Sequence, residues 1–280
     1  NLGLTKEWAF RNDISCPTAI CNVFSEGDPY GFSVSNINNY NYTIQEFTPP
    51  CGYEINSEET VTMIDDILEC NQDYMIKIAS DNVILDCDNN KIEGTGNYGI
   101  YVIGENVTTQ NCNIDITGSN GIKYNTPANN GVIDNNNVSV SSWYGIIVTG
   151  VLGNNITNNK ISANTYAIYT SSSLENIIAN NTITANDDYG ITIYSSYDNI
   201  ITNNIISAKD NSIWLRGAAN NNILLNNNIT AAYSKIINDT TGSSYNNYLI
   251  YNNSFGQISW LNTSNLTIIE DGTLTLGINP

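Results

Sequence analysis

One six-residue motif recurs along the chain and decides the fold. It reads NNKISA at 158–163, NNTITA at 180–185, NNIISA at 203–208 and NNNITA at 226–231. Its fourth position belongs to an apolar column that recurs every 22–26 residues, at Ile92, Ile114, Val138, Ile161, Ile183, Ile206, Ile229 and Phe255. A second column follows at Ile100, Ile122, Ile146, Ile168, Ile191, Ile213, Ile236 and Ile258. A third column precedes each Asn pair, as at Ile133 and Ile156. Three short apolar segments therefore recur every 22–24 residues.

The segments read as strands. They alternate apolar and polar residues, as in Gly190-Ile191-Thr192-Ile193, and Asn, Gly, Ser and Asp supply turns between them. Helical repeats need longer runs of 3.6-residue period, and a leucine-rich horseshoe needs a Leu-x-x-Leu-x-Leu pattern; the chain has neither. Three strands per coil, stacked on the next coil, predict an all-β fold, a right-handed single-stranded parallel β-helix of about 8–9 coils.

An Asn column is unbroken across the coils. The first Asn of each pair is Asn89, Asn111, Asn135, Asn158, Asn180, Asn203, Asn226 or Asn252. Asn tolerates the left-handed backbone conformation of a turn, and identical Asn residues stacked in register can bond to each other. We therefore expect a structural, inward-facing Asn ladder at one corner of the coil. Asn180 and Asn252, which are also sequons, should then be poor glycan sites.

Three stretches carry a family resemblance. They are ASDNVILDCDNNKI at 79–92, GIYV at 99–102 and NVTTQNCNI at 106–114. This pattern resembles the NosD-type repeat of the carbohydrate-binding-and-sugar-hydrolase (CASH) β-helix superfamily, whose members are common among archaeal surface proteins. The resemblance covers roughly residues 51–270 and implies the fold. The copper handling in the family's name is not carried over, because the chain has no His and two Met.

Charge and composition exclude several classes of partner. The formal net charge is −18, which disfavours binding to nucleic acid or insertion at an anionic membrane surface. The absence of His removes the commonest general base and metal ligand, so no cofactor is expected.

Cysteines and sequons indicate an extracellular setting. Cys16 and Cys21 lie close enough for a local disulfide, and Cys51 and Cys70 are placed to pin a cap. Cys87 and Cys112 fall in adjacent coils but are offset by one residue, so either a disulfide with a bulge or two buried thiols would fit. The candidate glycosylation sites are Asn41, Asn106, Asn137, Asn155, Asn228, Asn238, Asn262 and Asn265. We therefore expect a processed, secreted or cell-surface glycoprotein.

The chain divides into three regions. Residues 1–50 lack the period and end at Thr48-Pro49-Pro50, which predicts an N-terminal extension that could contact another subunit. Residues 51–80 fit a cap and a first partial coil, which would cover the open end of the solenoid. Residues 81–280 fit the β-helix with further C-terminal strands.

Candidate chemistry is sparse. Asp187, Asp188 and Asp210 form a candidate calcium site, with solvated turn acids as the alternative. An outward stripe of large residues, Tyr101, Ile147, Tyr169, Trp214 and Ile237, predicts a contact surface for sugar rings or for a neighbouring subunit. Beside it, Tyr98, Tyr144, Tyr166 and Tyr189 predict a Tyr stack. No catalytic residues are assigned, since the paired Asp, His and basic residues of the resembling hydrolases have no counterpart.

These features lead to two functional expectations. The first is a non-enzymatic structural protein that self-assembles as a homo-oligomer into a surface layer or filament, or serves as an adhesin-like module. The alternative is a carbohydrate-binding or polysaccharide-cleaving protein, a lyase or hydrolase, with glycans as partners. A passive spacer domain is a third possibility.

Overall fold

A computed structural model describes residues 44–230 and 247–250 and four strands outside them, Cys21–Val23, Phe32–Val34, Lys235–Asn238 and Gln257–Trp260. In this part of the chain there is no helix, and therefore none long and apolar enough to cross a membrane. Cys21–Val23 and Phe32–Val34 form an antiparallel pair. All the other strands belong to three long parallel sheets, which confirms the predicted parallel β-helix of about eight coils.

The three sheets follow one another in each coil, and we number them after the three apolar columns. Sheet 1 consists of Ile67–Cys70, Lys91–Gly94, Asn113–Ile116, Asn137–Val140, Lys160–Ala163, Thr182–Ala185, Ile205–Ala208 and Asn228–Ile229. Sheet 2 consists of Tyr53–Ile55, Tyr74–Ile78, Tyr98–Val102, Asn120–Asn125, Tyr144–Thr149, Tyr166–Ser171, Tyr189–Tyr194, Asn211–Arg216, Lys235–Asn238 and Gln257–Trp260. Sheet 3 consists of Ile44–Glu46, Thr60–Thr62, Ile84–Asp86, Thr108–Gln110, Val132–Asp134, Asn155–Thr157, Ile177–Ala179, Ile200–Thr202, Ile223–Leu225 and Tyr248–Ile250.

The apolar columns fill the interior of the coil. Ile100, Ile122 and Ile146 are aligned on successive strands of sheet 2, and all three are fully buried. The same stacking holds Ile114 against Ile92 on sheet 1. Each coil therefore buries its apolar side chains against identical or similar side chains above and below, which fixes the register of the whole stack.

The Asn corner between sheets 3 and 1 differs from its prediction by one residue. Each described first Asn has a positive φ, and its side chain is exposed, as at Asn180, or half-buried, as at Asn111 and Asn226. The second Asn turns inward instead: the Nδ2 of Asn181 donates to the Oδ1 of Asn204 at 2.9 Å and to the carbonyl oxygen of Ile156 at 2.9 Å. The inward ladder is thus Asn136, Asn159, Asn181, Asn204 and Asn227. The predicted member Asn252 lies outside the described residues.

A second inward Asn ladder lies at the corner between sheets 2 and 3, and the sequence reading missed it. The Nδ2 of Asn176 donates to the Oδ1 of Asn199 at 2.9 Å, and Asn199 donates in the same way to Asn222. Its members are Asn154, Asn176, Asn199, Asn222 and Asn247. These residues recur every 22–25 positions in the sequence, but so many other residues are Asn that this column does not stand out.

Two disulfides join residues near the N-terminal end of the solenoid. They are Cys51–Cys70 and Cys87–Cys112, so the latter pair forms a disulfide rather than two buried thiols. A longer corner between sheets 3 and 1 compensates for the one-residue offset between the two Cys. Four residues separate Asp86 from Lys91, whereas two separate Gln110 from Asn113 at the aligned corner of the next coil. The pairing of Cys16 with Cys21 falls outside the described residues.

The solenoid begins earlier than the predicted boundaries placed it. Ile44–Glu46 pairs in parallel with Thr60–Thr62, and Tyr53–Ile55 pairs in parallel with the strand Tyr74–Ile78. The solenoid therefore includes the end of the predicted extension, and residues 51–80, predicted as a cap and first partial coil, contribute strands to all three sheets. Short strands of three residues without the Asn pair kept this first coil hidden in the sequence pattern.

Candidate functional site

The outer face of sheet 2 presents three columns of side chains. The first column contains Tyr98, Asn120, Tyr144, Tyr166, Tyr189 and Asn211, two residues before the buried Ile of each strand. The second, one residue after that Ile, contains Tyr101, Lys123, Ile147, Tyr169, Thr192 and Trp214. The third ends in Tyr194 and Arg216, which are aligned. Parallel pairing sets successive members about 4.8 Å apart, close enough for their rings to stack.

The first column forms a stack of Tyr rings. The ring of Tyr166 lies between those of Tyr144 and Tyr189, with centroid separations of 5.1 Å on both sides. Tyr98 is not part of this stack, because Asn120 separates it from Tyr144; it stacks instead on Tyr101 in its own strand, at 5.0 Å. Offset stacking at these distances is favourable beyond the area that it buries.

Trp214 and Arg216 extend the stack to the neighbouring columns. The rings of Tyr189 and Trp214 are 4.6 Å apart, and the guanidinium of Arg216 lies 4.3 Å from the Trp214 centroid. The same guanidinium lies 5.3 Å from the ring of Tyr194. The planar cation is therefore held against two aromatic faces, an arrangement typical of Arg.

Two polar residues of these columns, Thr192 and Asn211, are buried. Thr192 belongs to the outward second column, yet its exposure is 0%. Asn211 is 5% exposed. The Oγ1 of Thr192 and the Oδ1 of Asn211 accept no hydrogen bond from any of the described residues. An unmet buried polar atom has a free-energy cost, so both atoms require an explanation.

The charges on this face differ from those of the chain as a whole. Among the described residues, Lys123 and Arg216 have no acidic partner, whereas Lys77 pairs with Glu54 at 2.9 Å. The Nζ of Lys123 lies 5.3 Å from the Tyr98 ring, and burial lowers its pKa. In a chain with a net charge of −18, the sheet 2 face thus carries two cations available to an anionic ligand.

Four of the Tyr hydroxyls on this face are protonated at neutral pH. Burial raises the pKa of Tyr144, Tyr166, Tyr169 and Tyr189 above that of a free Tyr. For Tyr189, the charges of Asp210 and Asp188 add to this rise, and Arg216 opposes it. These hydroxyls can therefore donate hydrogen bonds to a ligand.

The predicted acid cluster does not converge into a metal site. The backbone N–H of Asp210 donates to the carbonyl oxygen of Asp188 at 3.0 Å, so these two residues lie on adjacent coils. Asp187 instead forms an exposed ion pair with Lys209 at 3.3 Å. Within the described residues, no group of three or more His, Cys, Asp or Glu side chains is placed to hold a metal ion.

The predicted contact stripe is only partly accessible. Tyr101, Tyr169 and Trp214 are half-buried, but Ile147 is buried. The side chain of Ile237 lies outside the described residues. The sequence predicts the first two columns but not the place of Arg216 in the third. Aligning Tyr194 with Arg216 on the repeat would have shown that Arg216 lies on this face.

The sequons occupy several different surfaces. Asn106, Asn137, Asn180 and Asn228 are exposed, and Asn155 is half-buried on sheet 3. Asn180 therefore faces solvent, which corrects the expectation that the inward ladder would hide it. Asn41, Asn238, Asn252, Asn262 and Asn265 have side chains outside the described part of the chain. The expected glycan occupancy and self-assembly both remain predictions.

Comparisons with known proteins identify the fold. Residues 104–255, more than half of the chain, match the family model described as a right-handed β-helix region. No curated protein matches the sequence. Among solved structures, the enzymatically active domain of tailspike protein 2 of bacteriophage CBA120 has a TM-score of 0.58 at 13% identity, over 78% of this chain and 39% of that one.

Two further structures have a similar fold. The periplasmic alginate epimerase AlgG has a TM-score of 0.53 at 16% identity, over 81% of this chain and 77% of that one. The DFA-IIIase of Arthrobacter chlorophenolicus A6 has a TM-score of 0.52 at 10% identity, over 85% and 79%. The chain spans 61% of the length of the Dettilon tailspike protein and 39% of the length of the CBA120 tailspike domain.

These matches correct one expectation. The expectation of a non-enzymatic protein is wrong: similar chains include the active domain of a tailspike, an epimerase and DFA-IIIase. At 10–16% identity the likeness itself establishes the fold, so the activity of this chain has to be argued from its own residues.

Proposed function

Because this chain belongs to the right-handed β-helix family, we propose that it is a secreted carbohydrate-active enzyme that binds a polysaccharide on the outer face of sheet 2 and acts on it there. One observation carries the proposal. It is the continuous aromatic surface from Tyr144 to Trp214, which ends at the guanidinium of Arg216.

The aromatic surface suits a sugar chain. Pyranose rings present apolar C–H faces, which pack on flat aromatic side chains while their hydroxyls stay in reach of polar groups. The half-buried rings of Tyr144, Tyr166 and Tyr189 offer such faces on three successive coils. A polymer that runs along the axis of the solenoid would meet one ring per coil.

The charges favour an acidic polysaccharide. Arg216 and Lys123 flank the stack on the same face, and a guanidinium forms strong paired hydrogen bonds with a carboxylate or sulfate. Proton transfer would use the groups already present: the protonated hydroxyl of Tyr189 as donor, and Asp188 or Asp210 beside it as acceptor.

The disulfides support the extracellular part of the proposal. Cys51–Cys70 and Cys87–Cys112 fit an oxidising compartment, where polysaccharide substrates are also found. The finer NosD-type assignment and a location at the cell surface are part of this proposal.

A panel of polysaccharides tests the function. The protein is incubated with acidic and neutral polymers; binding is measured on a glycan array, and turnover by new reducing ends, by the ultraviolet absorbance of unsaturated products and by NMR of the uronate stereochemistry. We expect retention on acidic polymers and turnover of at least one, with Asp188→Asn/Asp210→Asn reducing turnover by about 100-fold. The absence of turnover across the panel would overturn the proposed enzyme, and the absence of binding as well would overturn the proposed binding face.

A further inference from the structure

Six side chains form a closed circuit on the outer face of sheet 2. They are Tyr166, Tyr169, Tyr189, Tyr194, Trp214 and Arg216, and we call them the Thr192 cage after the residue that they surround. The distances between neighbouring ring centroids, or between a centroid and the guanidinium, are 5.1 Å for Tyr166–Tyr189, 4.6 Å for Tyr189–Trp214, 4.3 Å for Trp214–Arg216, 5.3 Å for Arg216–Tyr194, 6.4 Å for Tyr194–Tyr169 and 5.3 Å for Tyr169–Tyr166.

Thr192 is the floor of the cage. It is aligned with Tyr169 on one neighbouring strand and with Trp214 on the other. Its side chain is on the outer face and fully covered by the surrounding rings, and its Oγ1 has no hydrogen-bond partner among the described residues. Asn211, in the first column beside Tyr189, adds a second unmet acceptor, its Oδ1.

Packing alone does not account for a hydroxyl at this position. The same column holds Ile147 two coils earlier, so the fold accepts a branched apolar side chain beneath its rings. Val has nearly the shape of Thr and would avoid the cost of a buried, unmet hydroxyl. Unlike a hydroxyl that faces the core, the outward hydroxyl of Thr192 would gain a partner if a ligand entered the cage.

We propose that the Thr192 cage is a subsite for a single sugar unit that carries an anionic group. This inference rests on the proposed function and assigns one of its subsites. Arg216 pairs with the carboxylate or sulfate, the Thr192 hydroxyl and the Asn211 Oδ1 bind ring hydroxyls, and the ring of Trp214 or Tyr169 stacks on the apolar face of the sugar.

Movement of the Arg216 side chain would open the cage to a ligand. Within the described residues it forms no ion pair and is held by the faces of Trp214 and Tyr194 alone. An anionic group offers it stronger, charge-assisted hydrogen bonds than two ring faces do. As the guanidinium moves toward the ligand, it uncovers the side of the cage above Thr192.

The matched pair Thr192→Val and Thr170→Val tests the subsite. Thr170 lies on the adjacent strand, is equally buried, and its Oγ1 is equally without a partner, but it is aligned with the core residue Ile193 and faces inward. Both substitutions keep the shape of the side chain and remove one unmet hydroxyl. Both variants should therefore unfold at or above the wild-type denaturant midpoint, so neither is expected to misfold.

Binding is measured with galacturonate as the anionic probe and galactose as the neutral control, through tryptophan fluorescence, with Trp214→Phe to identify the reporting ring. We expect galacturonate to bind the wild-type protein and Thr170→Val equally, Thr192→Val to bind about 3- to 10-fold more weakly, and galactose to give no response. Unchanged affinity in Thr192→Val, or an equal loss in Thr170→Val, would overturn the inference.

Retention of the wild-type protein on acidic polymers separates the two proposals. If a polymer is bound and turned over but galacturonate does not perturb Trp214, the proposed function stands and the subsite is wrong. If galacturonate binds in the cage but no polymer is turned over, the subsite stands and the enzymatic proposal is wrong. If neither the polymer nor galacturonate binds, both are wrong.

Discussion

The guanidinium of Arg216 lies 4.3 Å from the centroid of the Trp214 ring and has no acidic partner among the described residues. Trp214 therefore has two roles on the same face: it offers an aromatic surface to a sugar, and it positions the cation that would hold the sugar's anionic group. Trp143 differs: it is 54% exposed, its ring lies at the margin of the aromatic surface, 6.3 Å from that of Tyr144, and among the described residues it holds no cation.

The two Trp residues allow a direct comparison of stacking. We expect Trp214→Ala to weaken binding of an acidic polysaccharide by about 30-fold, the loss of a central aromatic anchor of about 2 kcal/mol. Trp143→Ala, at the margin of the surface, should change it by no more than about twofold. Isothermal titration calorimetry on both variants measures the difference, and equal effects would place the binding surface elsewhere.

Arg216 should also control the salt dependence of binding. Arg216→Gln removes the charge, so affinity should fall about tenfold and become less sensitive to salt, because fewer counterions are displaced on binding. Lys160→Gln is the control, since Lys160 is an exposed cation on sheet 1. A titration series in increasing NaCl gives the two slopes; the idea fails if Lys160→Gln flattens the slope as much as Arg216→Gln.

The sequence predicted the coil but not the cage. The Ile columns gave the number of strands per coil and their alignment, since a parallel stack buries equivalent residues on one another. The position of Thr192 in an outward column was also readable. Its complete burial was not, because it depends on how four Tyr rings, Trp214 and Arg216 turn about their own side-chain bonds.

The Asn pairs show a finer limit. Asn180 and Asn181 are identical in type, and the repeat alone does not say which one turns inward. In the structure Asn180 follows the strand Ile177–Ala179, has a positive φ and faces solvent. The chain then turns, and the side chain of Asn181 lies in the interior. The enclosed side chain must satisfy its amide there, which the stacked ladder does through neighbouring coils.

These two Asn residues should respond very differently to substitution. Asn181→Gly removes donors to Asn204 and Ile156 and an acceptor for the backbone N–H and the side chain of Asn159, so we expect a loss of about 3–5 kcal/mol in the free energy of unfolding. Asn180→Gly should change it by less than about 1 kcal/mol, because Gly adopts positive φ readily. Urea unfolding followed by circular dichroism measures both, and a similar loss in the two variants would contradict the ladder.

The disulfide between adjacent coils should stabilise the N-terminal half of the solenoid. Replacing Cys87 and Cys112 together by Ala removes a cross-link across 25 residues, with an expected loss of about 2–4 kcal/mol. The single variant Cys87→Ala breaks the same cross-link but leaves the Cys112 thiol in place, so comparison of the two variants isolates the effect of the second packing change. Hydrogen exchange should show the loss in the coils near Cys87 and much less near Ile213; uniform loss along the rod would mean that the solenoid unfolds as one unit.

Glu59 should make stability depend on pH. Its side chain is 5% exposed, its Oε1 accepts from the Ser57 hydroxyl at 3.2 Å, and its Oε2 has no partner among the described residues. Burial raises the pKa of this carboxyl above its ordinary value of 4.5, and the Ser57 bond offsets the rise only in part. The folded chain therefore binds a proton that the unfolded chain has already released, and stability falls as pH rises from 4.5 through the raised pKa.

Glu59→Gln removes that titration while keeping the shape of the side chain. We expect the variant to be more stable than wild type at pH 7 and the difference to disappear below pH 4.5, where the carboxyl is protonated in both the folded and unfolded states. Glu58→Gln, next in sequence with an exposed side chain, is the matched control and should leave the pH profile unchanged. Thermal unfolding from pH 4 to pH 8 gives the three profiles. A wild-type chain that gains stability relative to Glu59→Gln as pH rises would show that the carboxylate has a partner, and that its pKa is lowered.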